Sequence, residues 1–470
     1  MIEDFAKMVG RDHVLTGRAV TDRFDGWPPE SALQAACIVR PRTTGEVSAV
    51  LAYCNDSGIR VVPQGGRSGI SGGARARPME VAVSLERMTS IESIDRMNAS
   101  MIVEAGVPLV LVQQAAEAEG LLYAVDLGGR GSATIGGTIA TNAGGNRVLR
   151  YGMTREQVLG LEVVLADGTV ISSMNAMLKN NAGYDLKQLF IGSEGTLGVV
   201  TRAILRLRPR PTASATALLG TASFSNVLML RDRIAAITDG MLSSFEVMWP
   251  EFVEIAIATG RHRNPLPERH PFYLLVEVLA SDAESRLEKA LATVWDEELL
   301  TDAIVASSET QAASLWAIRE DSPARAAALR PFVSFDISLP CSAMESYVET
   351  VCRQLSDGLP GSRTVVFGHV ADGNLHVSVG VGKGGEPARQ FAKQIVYDLL
   401  RPIRGSVAAE HGVGLDKREY LDVTRTPTEI ALMRSLKAHL DPRNTLNPEK
   451  VVQMPFVPIH ATAVSTATES

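Results

Sequence analysis

The chain has 470 residues, 45% of them hydrophobic and 21% charged, the balance of a soluble α/β protein of two or three domains. Its formal net charge of −7 argues against nucleic acid or an anionic membrane as partner, because both select basic patches. No segment approaches the roughly 18 uninterrupted apolar residues of a spanning helix, so no membrane span is predicted.

In chain order, MIEDFAKMVG lacks the basic and apolar runs of a signal peptide, and a cytoplasmic location is expected. Residues 36–39 (ACIV) read as a strand, followed by a helix opening at Thr44 with Glu46 in its first turn. IRVVP at 59–63 and MEVAVSL at 79–85 read as further strands, 101–104 continues the β character, and Pro108 starts an amphipathic helix that ends at Gly120. LGLEVVL followed by Asp167-Gly168 is a hairpin signature. RLRPRP at 206–211 marks a boundary. Beyond it, helices are predicted at 226–239, 282–296 and, as one long element, 309–329, with a strand at 273–279. The four cysteines, Cys37, Cys54, Cys341 and Cys352, show no C-x-x-C spacing and read as buried thiols in a reducing compartment. After Pro455 the chain soon becomes Ala, Thr and Ser, and a disordered tail is expected.

Two glycine-rich stretches carry the first chemical signal. Pro63-Gln64-Gly65-Gly66-Arg67-Ser68-Gly69-Ile70-Ser71-Gly72-Gly73 follows a β run, and five glycines in nine residues free backbone N–H groups to form an anion-binding nest. Thr134-Ile135-Gly136-Gly137-Thr138 and Ala140-Thr141-Asn142-Ala143-Gly144-Gly145 combine small residues with short hydrogen-bonding arms, and Ile191–Gly198 with Gly195 adds more permissive backbone. Together they suit a dinucleotide. Gly380-Val381-Gly382-Lys383-Gly384-Gly385 matches G-x-G-x-x-G, but the acid at the right distance, Asp398, falls inside a predicted helix. That run reads as a β-to-α loop, not a nicotinamide site.

Residues 38–209 resemble the FAD-binding domain of the vanillyl-alcohol-oxidase superfamily. TIGGTIATNAGG, RYGMTREQVLGLEVVLADGTV and GYDLKQLFIGSEGTLG are similar to D-2-hydroxyglutarate, D-lactate and glycolate dehydrogenases, and the resemblance continues through Pro448. It implies an α+β fold, with a two-part FAD-binding domain (1–210), an α+β substrate-binding domain (211–410), a helical segment returning to the FAD site (411–455) and the tail (456–470). The FAD contacts it implies are Pro63, Gly65, Gly66, Arg67, Ser68, Gly69, Ile70, Thr134, Gly136, Gly137, Thr141, Asn142, Gly144, Gly145, Gly195, Val200 and Asn447. Some relatives tether FAD through a histidine in the first loop; 63–73 holds none, so non-covalent FAD is expected.

VVFGHVADGNLHVSVG at 365–380 places two β runs around Asp372-Gly373. If that dipeptide is the tip of a hairpin, His369 and His376 fall directly opposite one another, about 5 Å apart at Cβ, a spacing at which two imidazoles share one metal. SVAAEHGVGL at 406–415 offers a third ligand in Glu410 or His411, which as neighbours in a regular strand would face opposite ways. Two imidazoles and a carboxylate suit catalytic zinc, with manganese or iron as alternatives. The resemblance implies His369, His376 and Glu410 as metal ligands and His411 as the base that contacts substrate. Arg319, in the family-like Trp316-Ala317-Ile318-Arg319, is implied as the clamp for a substrate carboxylate.

The implied reaction is oxidation of a D-2-hydroxy acid to the 2-keto acid. Electrons then pass to an external acceptor, with an electron-transferring flavoprotein, a quinone pathway and a cytochrome all open; a homodimer is also open. Three substrate contacts of the 2-hydroxyglutarate enzymes are replaced here by Pro323, Ser334 and Ser378. Loss of a lysine at 334 predicts preference for D-lactate or a longer monocarboxylic acid over the diacid; the alternative is a D-2-hydroxyglutarate-specific enzyme in which an arginine from elsewhere, such as Arg325 further along the same predicted helix, replaces the lysine. The alternatives are a flavoprotein oxidase of another alcohol and a silent flavin-binding subunit of a larger complex; the retained His369, His376, Glu410 and His411 argue against silence.

Overall fold

Short valine-rich runs alternating with helices build the first layer. In the computed structural model, which describes residues 1–27 and 31–455, Val14–Leu15 (β1), Cys37–Val39 (β2), Val61–Gln64 (β3) and Val81–Ser84 (β4) form a sheet in the order β1-β2-β4-β3, parallel across β2, β4 and β3. A parallel pair needs a crossover, and Thr44–Ser57 supplies it between β2 and β3. The Thr43 hydroxyl caps this helix by accepting the Glu46 N–H at 3.2 Å, and its Val47, Val50, Leu51 and Cys54 are buried in the core. The expected tail at 456–470 lies outside the described residues.

The chain continues through Ile91–Asp95 (β5), Ser100–Glu104 (β6), Leu121–Leu122 (β7), Val158–Val164 (β8), Val170–Ser173 (β9), Val199–Arg206 (β10) and Arg208–Pro209 (β11). An antiparallel sheet of order β5-β6-β10-β8-β9 results, with β7 pairing β11 apart from it. The Asp167-Gly168 hairpin forms as predicted, with Val164 opposite Val170. These two layers share one apolar core, in which Val81, Val103, Ile135, Leu161 and Ala203 are buried.

A third sheet collects Ala213–Thr221 (β12), Leu242–Met248 (β13), Phe272–Ala280 (β14), Asp302–Val305 (β15), Phe332–Ser338 (β16), Arg363–Gly368 (β17) and Asn374–Gly380 (β18), in the order β15-β12-β14-β13-β17-β18-β16. Strand alternation sorts its side chains. Phe245, Val247, Leu274, Val276, Phe335, Ile337, Leu375 and Val377 enter the larger core beneath the helices Phe224–Ile237, Ala283–Asp296, Met344–Gly358 and Gly385–Asp398. The intervening Met248, Tyr273, Leu275, Val365 and Phe367 pack with Phe252, Leu315 and Ala324 on the other face. That second face also carries the polar residues of the site.

Two expectations need correction. The single helix expected at 309–329 is two, Glu309–Arg319 and Ser322–Leu329. Pro323 has no N–H to continue the first helix, and the Asp321 carboxylate starts the second by accepting the Ala324 N–H at 3.0 Å. The β17–β18 hairpin is also longer at its tip than a two-residue turn. His376 pairs with Phe367, not with His369. His369 instead leads a short 3-10 turn, Val370–Asp372, closed by Gly373 at φ 88°, a conformation that favours glycine. The Gly380–Gly385 run is a β-to-α connection, and Asp398 ends its helix without a following strand.

The C-terminal helix Pro427–Leu440 leads the chain back to the first layer. Leu446 bridges Val61, and the buried Lys437 ammonium donates to Thr196 O at 2.8 Å and Leu446 O at 2.7 Å and pairs with Asp441. Among the described residues, no helix is long and apolar enough to cross a membrane.

Candidate active site

One buried acid interrupts each of two apolar strands: Glu246 in LSSFEVM (β13) and Asp336 in FVSFDIS (β16). His376 on β18 lies directly across from Asp336, so the three share the face opposite the larger core. His369, two residues past Phe367, keeps that orientation although it has left the strand. The register correction therefore preserves the contact by another route: the His369 and His376 rings lie 5.5 Å apart. Glu410 Oε2 stands 3.9 Å from Nε2 of each, and the three ligand atoms all fall within 4.8 Å of one another. The other Glu410 oxygen accepts the Gly145 N–H at 2.6 Å, which joins this cluster to the second glycine-rich stretch.

Asp336 explains how neighbouring residues 410 and 411 reach one place. Its Oδ2 accepts the backbone N–H groups of Glu410 at 3.0 Å and His411 at 2.9 Å, which wraps the chain around one carboxylate and turns both side chains inward. Lys417 Nζ lies 3.4 Å from the same oxygen. The His411 ring stacks on His376 at 5.7 Å; its Nδ1 is 3.2 Å from Asp336 Oδ2, at an angle too bent for a hydrogen bond. Asp336, His376 and His411 form a second group of close ligand-type atoms, but Asp336 already serves the backbone.

Glu246 is fully buried. It accepts from His369 Nδ1 at 2.5 Å and from Arg319 Nε at 2.9 Å, with Arg319 Nη2 at 2.7 Å. Burial pushes its carboxyl up, but His369 and Arg319 outweigh that and hold it below the usual range. Burial lowers His369 while Glu246 and Glu410 raise it further, to about 9. Burial, reinforced by His369 and His411, holds His376 well below the usual imidazole range despite Asp336, leaving a neutral ring with a free lone pair. His411 is raised, Asp336 overcoming its burial, and Asp336 is held well below the carboxylate range by His411 and Lys417 against its own burial. Arg319 is buried over Phe367, 4.7 Å from the ring centroid, and is not a solvated helix arginine. Its neighbours turn elsewhere, Glu320 to Arg130 and Asp321 to Arg261 and His262.

The first glycine loop is an open nest. No backbone N–H between Gly65 and Gly73 donates to a protein acceptor among the described residues, so the turns at Gly65, Gly66, Arg67, Ser68, Gly69 and Ile70 keep their donors for a ligand. Pro63 lies in β3 beside Gly195. A Cβ at Gly66 would strike Ser132 O; only glycine lets the two stretches meet. Buried oxygens without hydrogen-bond partners among the described residues line this seam: Gln64 Oε1, Ser71 Oγ and Asn447 Oδ1. Asn447 also donates to Gly73 O at 3.2 Å and Glu194 O at 2.7 Å. Unsatisfied buried acceptors beside free N–H groups fit a polar, phosphate-bearing cofactor.

The second glycine-rich stretch is not open backbone throughout. Residues 135–141 are a short helix, with Thr134 and Asn142 at its caps and Gly136 against Ala105. The Thr141 hydroxyl donates to Gly137 O, and Asn142 Oδ1 accepts the Arg155 N–H at 2.9 Å. Gly144 and Gly145 pack on Glu410. The Val200 side chain belongs to the core, so only its backbone is left for a ligand. Sequence reading missed Glu246, Asp336, Lys417 and Glu194; the last accepts the N–H groups of Val413 at 2.6 Å and Gly414 at 2.9 Å. A lone acid in an apolar strand was the available signal for the first two, because a buried carboxylate requires partners.

An open nest of backbone N–H groups beside a histidine–carboxylate cluster is the layout of an FAD-linked oxidoreductase. Residues 35–173 match the FAD binding domain family, and 210–451 match the C-terminal domain of FAD linked oxidases. The chain belongs to the FAD-dependent D-2-hydroxy-acid dehydrogenases. It is 39% identical over 433 residues to the D-2-hydroxyglutarate dehydrogenase of Xanthomonas citri pv. viticola, covering 91% of each chain. It is 38% identical to the mitochondrial D-2-hydroxyglutarate dehydrogenase of Bos taurus, covering 96% of this chain and 83% of that one. Among solved structures, a 4-ethylphenol oxidase from Gulosibacter chungangensis in an isoeugenol complex superposes with a TM-score of 0.75 at 18% identity, covering 97% of each chain. The fold is thus the vanillyl-alcohol-oxidase type that the motifs implied.

Proposed function

We propose that this enzyme oxidises a D-2-hydroxy acid with the help of a divalent metal held by His369, His376 and Glu410. The carrying observation is the convergence of those three ligand atoms within 4.8 Å. Two features support it: the Glu246 carboxylate on the outer nitrogen of His369, the usual orienting partner of a metal-bound histidine, and the depressed, neutral His376. The donor set favours zinc. A metal there supplies Lewis acidity toward the substrate hydroxyl, and FAD supplies the hydride acceptor. His411, beside His376 and turned inward by Asp336, takes the hydroxyl proton. Arg319, held by Glu246 along one edge of its fork, offers the other edge to a substrate carboxylate. Reducing equivalents leave for an external acceptor.

A dye-reduction assay of purified protein against paired D- and L-2-hydroxy acids tests this. Turnover is expected with D acids only, lost after chelation and restored by zinc. Undiminished turnover of demonstrably metal-free protein would remove the metal from the mechanism.

The absence of histidine from 63–73 supports non-covalent flavin. Acid precipitation is expected to leave all the yellow colour in the supernatant; flavin that stays on the denatured chain rules this out.

A further inference from the structure

Arg325 lies on the helix Ser322–Leu329, just past the break at Pro323. Its guanidinium carbon stands 4.8 Å from the centroid of Phe367, the ring that also underlies Arg319 and packs on His376 at 4.9 Å. Two cations thus share one aromatic platform at the edge of the histidine cluster, and their charges are balanced unequally. Arg319 has Glu246. Arg325 meets no carboxylate among the described residues, and its buried Nε has no hydrogen-bond partner. Burial, with Arg319 nearby, pushes this guanidinium down to about 10. A cation kept half-desolvated without a counter-charge is costly, and a π-face compensates only in part. On the same face Ser334 and Ser378 are cross-strand partners whose hydroxyls meet at 3.1 Å, so they bring no charge.

We propose that Arg325 is the specificity-determining residue that binds the second carboxylate of a 2-hydroxy dicarboxylic acid. The inference rests on the reading above, in which the 2-hydroxy acid end sits at Arg319 and the His369–His376–Glu410 group. It reverses the monocarboxylate preference expected from Ser334: the cation missing from β16 is resupplied by the neighbouring helix. The sequence offers Arg325 as a substitute cation further along one helix; the break after Arg319, which re-aims everything past Asp321, decides where it points.

The test compares D-2-hydroxyglutarate with D-2-hydroxypentanoate, the same carbon chain without the second carboxylate, in the FAD-loaded enzyme and its Arg325→Gln and Arg325→Lys variants. The wild type is expected to favour the diacid. Arg325→Gln should lower the diacid-to-monoacid ratio of kcat/KM about 100-fold, mostly through KM, and Arg325→Lys should restore part of it. Binding of 2-oxoglutarate and 2-oxopentanoate, read from the flavin absorbance without turnover, should show the same split. Equal losses for both acids at normal FAD content would make Arg325 structural, or a clamp for the shared carboxylate, and overturn the proposal. So would an unchanged ratio. A wild type that prefers the monoacid overturns it while leaving the metal-assisted reading intact; no turnover of any 2-hydroxy acid sinks both.

Discussion

His376→Ala is expected to lower kcat about 1,000-fold or more, roughly 4 kcal/mol of barrier at about 1.4 kcal/mol per tenfold, with FAD content unchanged. The same is expected of His369→Ala. Both rings sit on the sheet face that carries Glu246 and Asp336, 3.9 Å from the Glu410 carboxylate, whereas the open nest at Gly65–Gly73 belongs to the other layer. Loss of either imidazole should therefore empty the proposed metal site without loosening the flavin. The two variants differ in what they leave behind. Without His369, Glu246 keeps Arg319 alone among the described residues as a partner for a fully buried charge, so this variant should also melt at lower temperature. Without His376, no carboxylate loses a hydrogen-bonded partner. Metal analysis, flavin absorbance and thermal melting separate these outcomes; full metal content with normal turnover in both variants would remove these histidines from the ligand set.

Asp336→Ala should be nearly as damaging although Asp336 is assigned no direct contact with substrate. It is a positioning residue: one carboxylate oxygen receives the N–H groups of Glu410 and His411 and faces Lys417. Its removal strands two backbone donors and takes the facing carboxylate from the buried Lys417 ammonium, and frees the segment that holds Glu410 beside His369 and His376 and stacks His411 on His376. Loss of such outer partners typically costs about 10- to 100-fold in metal affinity, and a misplaced base adds to that, so kcat/KM is expected to fall about 100-fold or more. Asp336→Asn keeps the shape but replaces one acceptor by a donor, and should fall in between. Excess zinc should recover part of the Asp336→Ala activity, which a purely structural defect would not allow. Wild-type metal affinity and kcat in Asp336→Ala would show that the 410–411 geometry holds itself.

Much of this was legible because it is local. Period-2 and helical patterning, the helix start at Thr44 and the Asp167-Gly168 turn report on bonds closed within a few residues, and long motifs such as TIGGTIATNAGG carry the family. The identities of His369, His376, Glu410 and His411 were likewise visible in short segments. Only the tertiary structure decided how they meet. The hairpin register slipped by two residues at a longer connection, yet a two-residue slip keeps a side chain on its own face, so the histidine contact survived a wrong premise. Glu246 and Asp336 carried only the signal of a lone acid in an apolar strand; what makes them matter is burial, which turns each carboxylate into an obligatory acceptor for partners 73 to 123 residues away. Arg325 is the sharpest case. The sequence offers it as a substitute cation on a helix, and only the break at Pro323 and the packing of Phe367 place it at the edge of the site, with no counter-charge among the described residues.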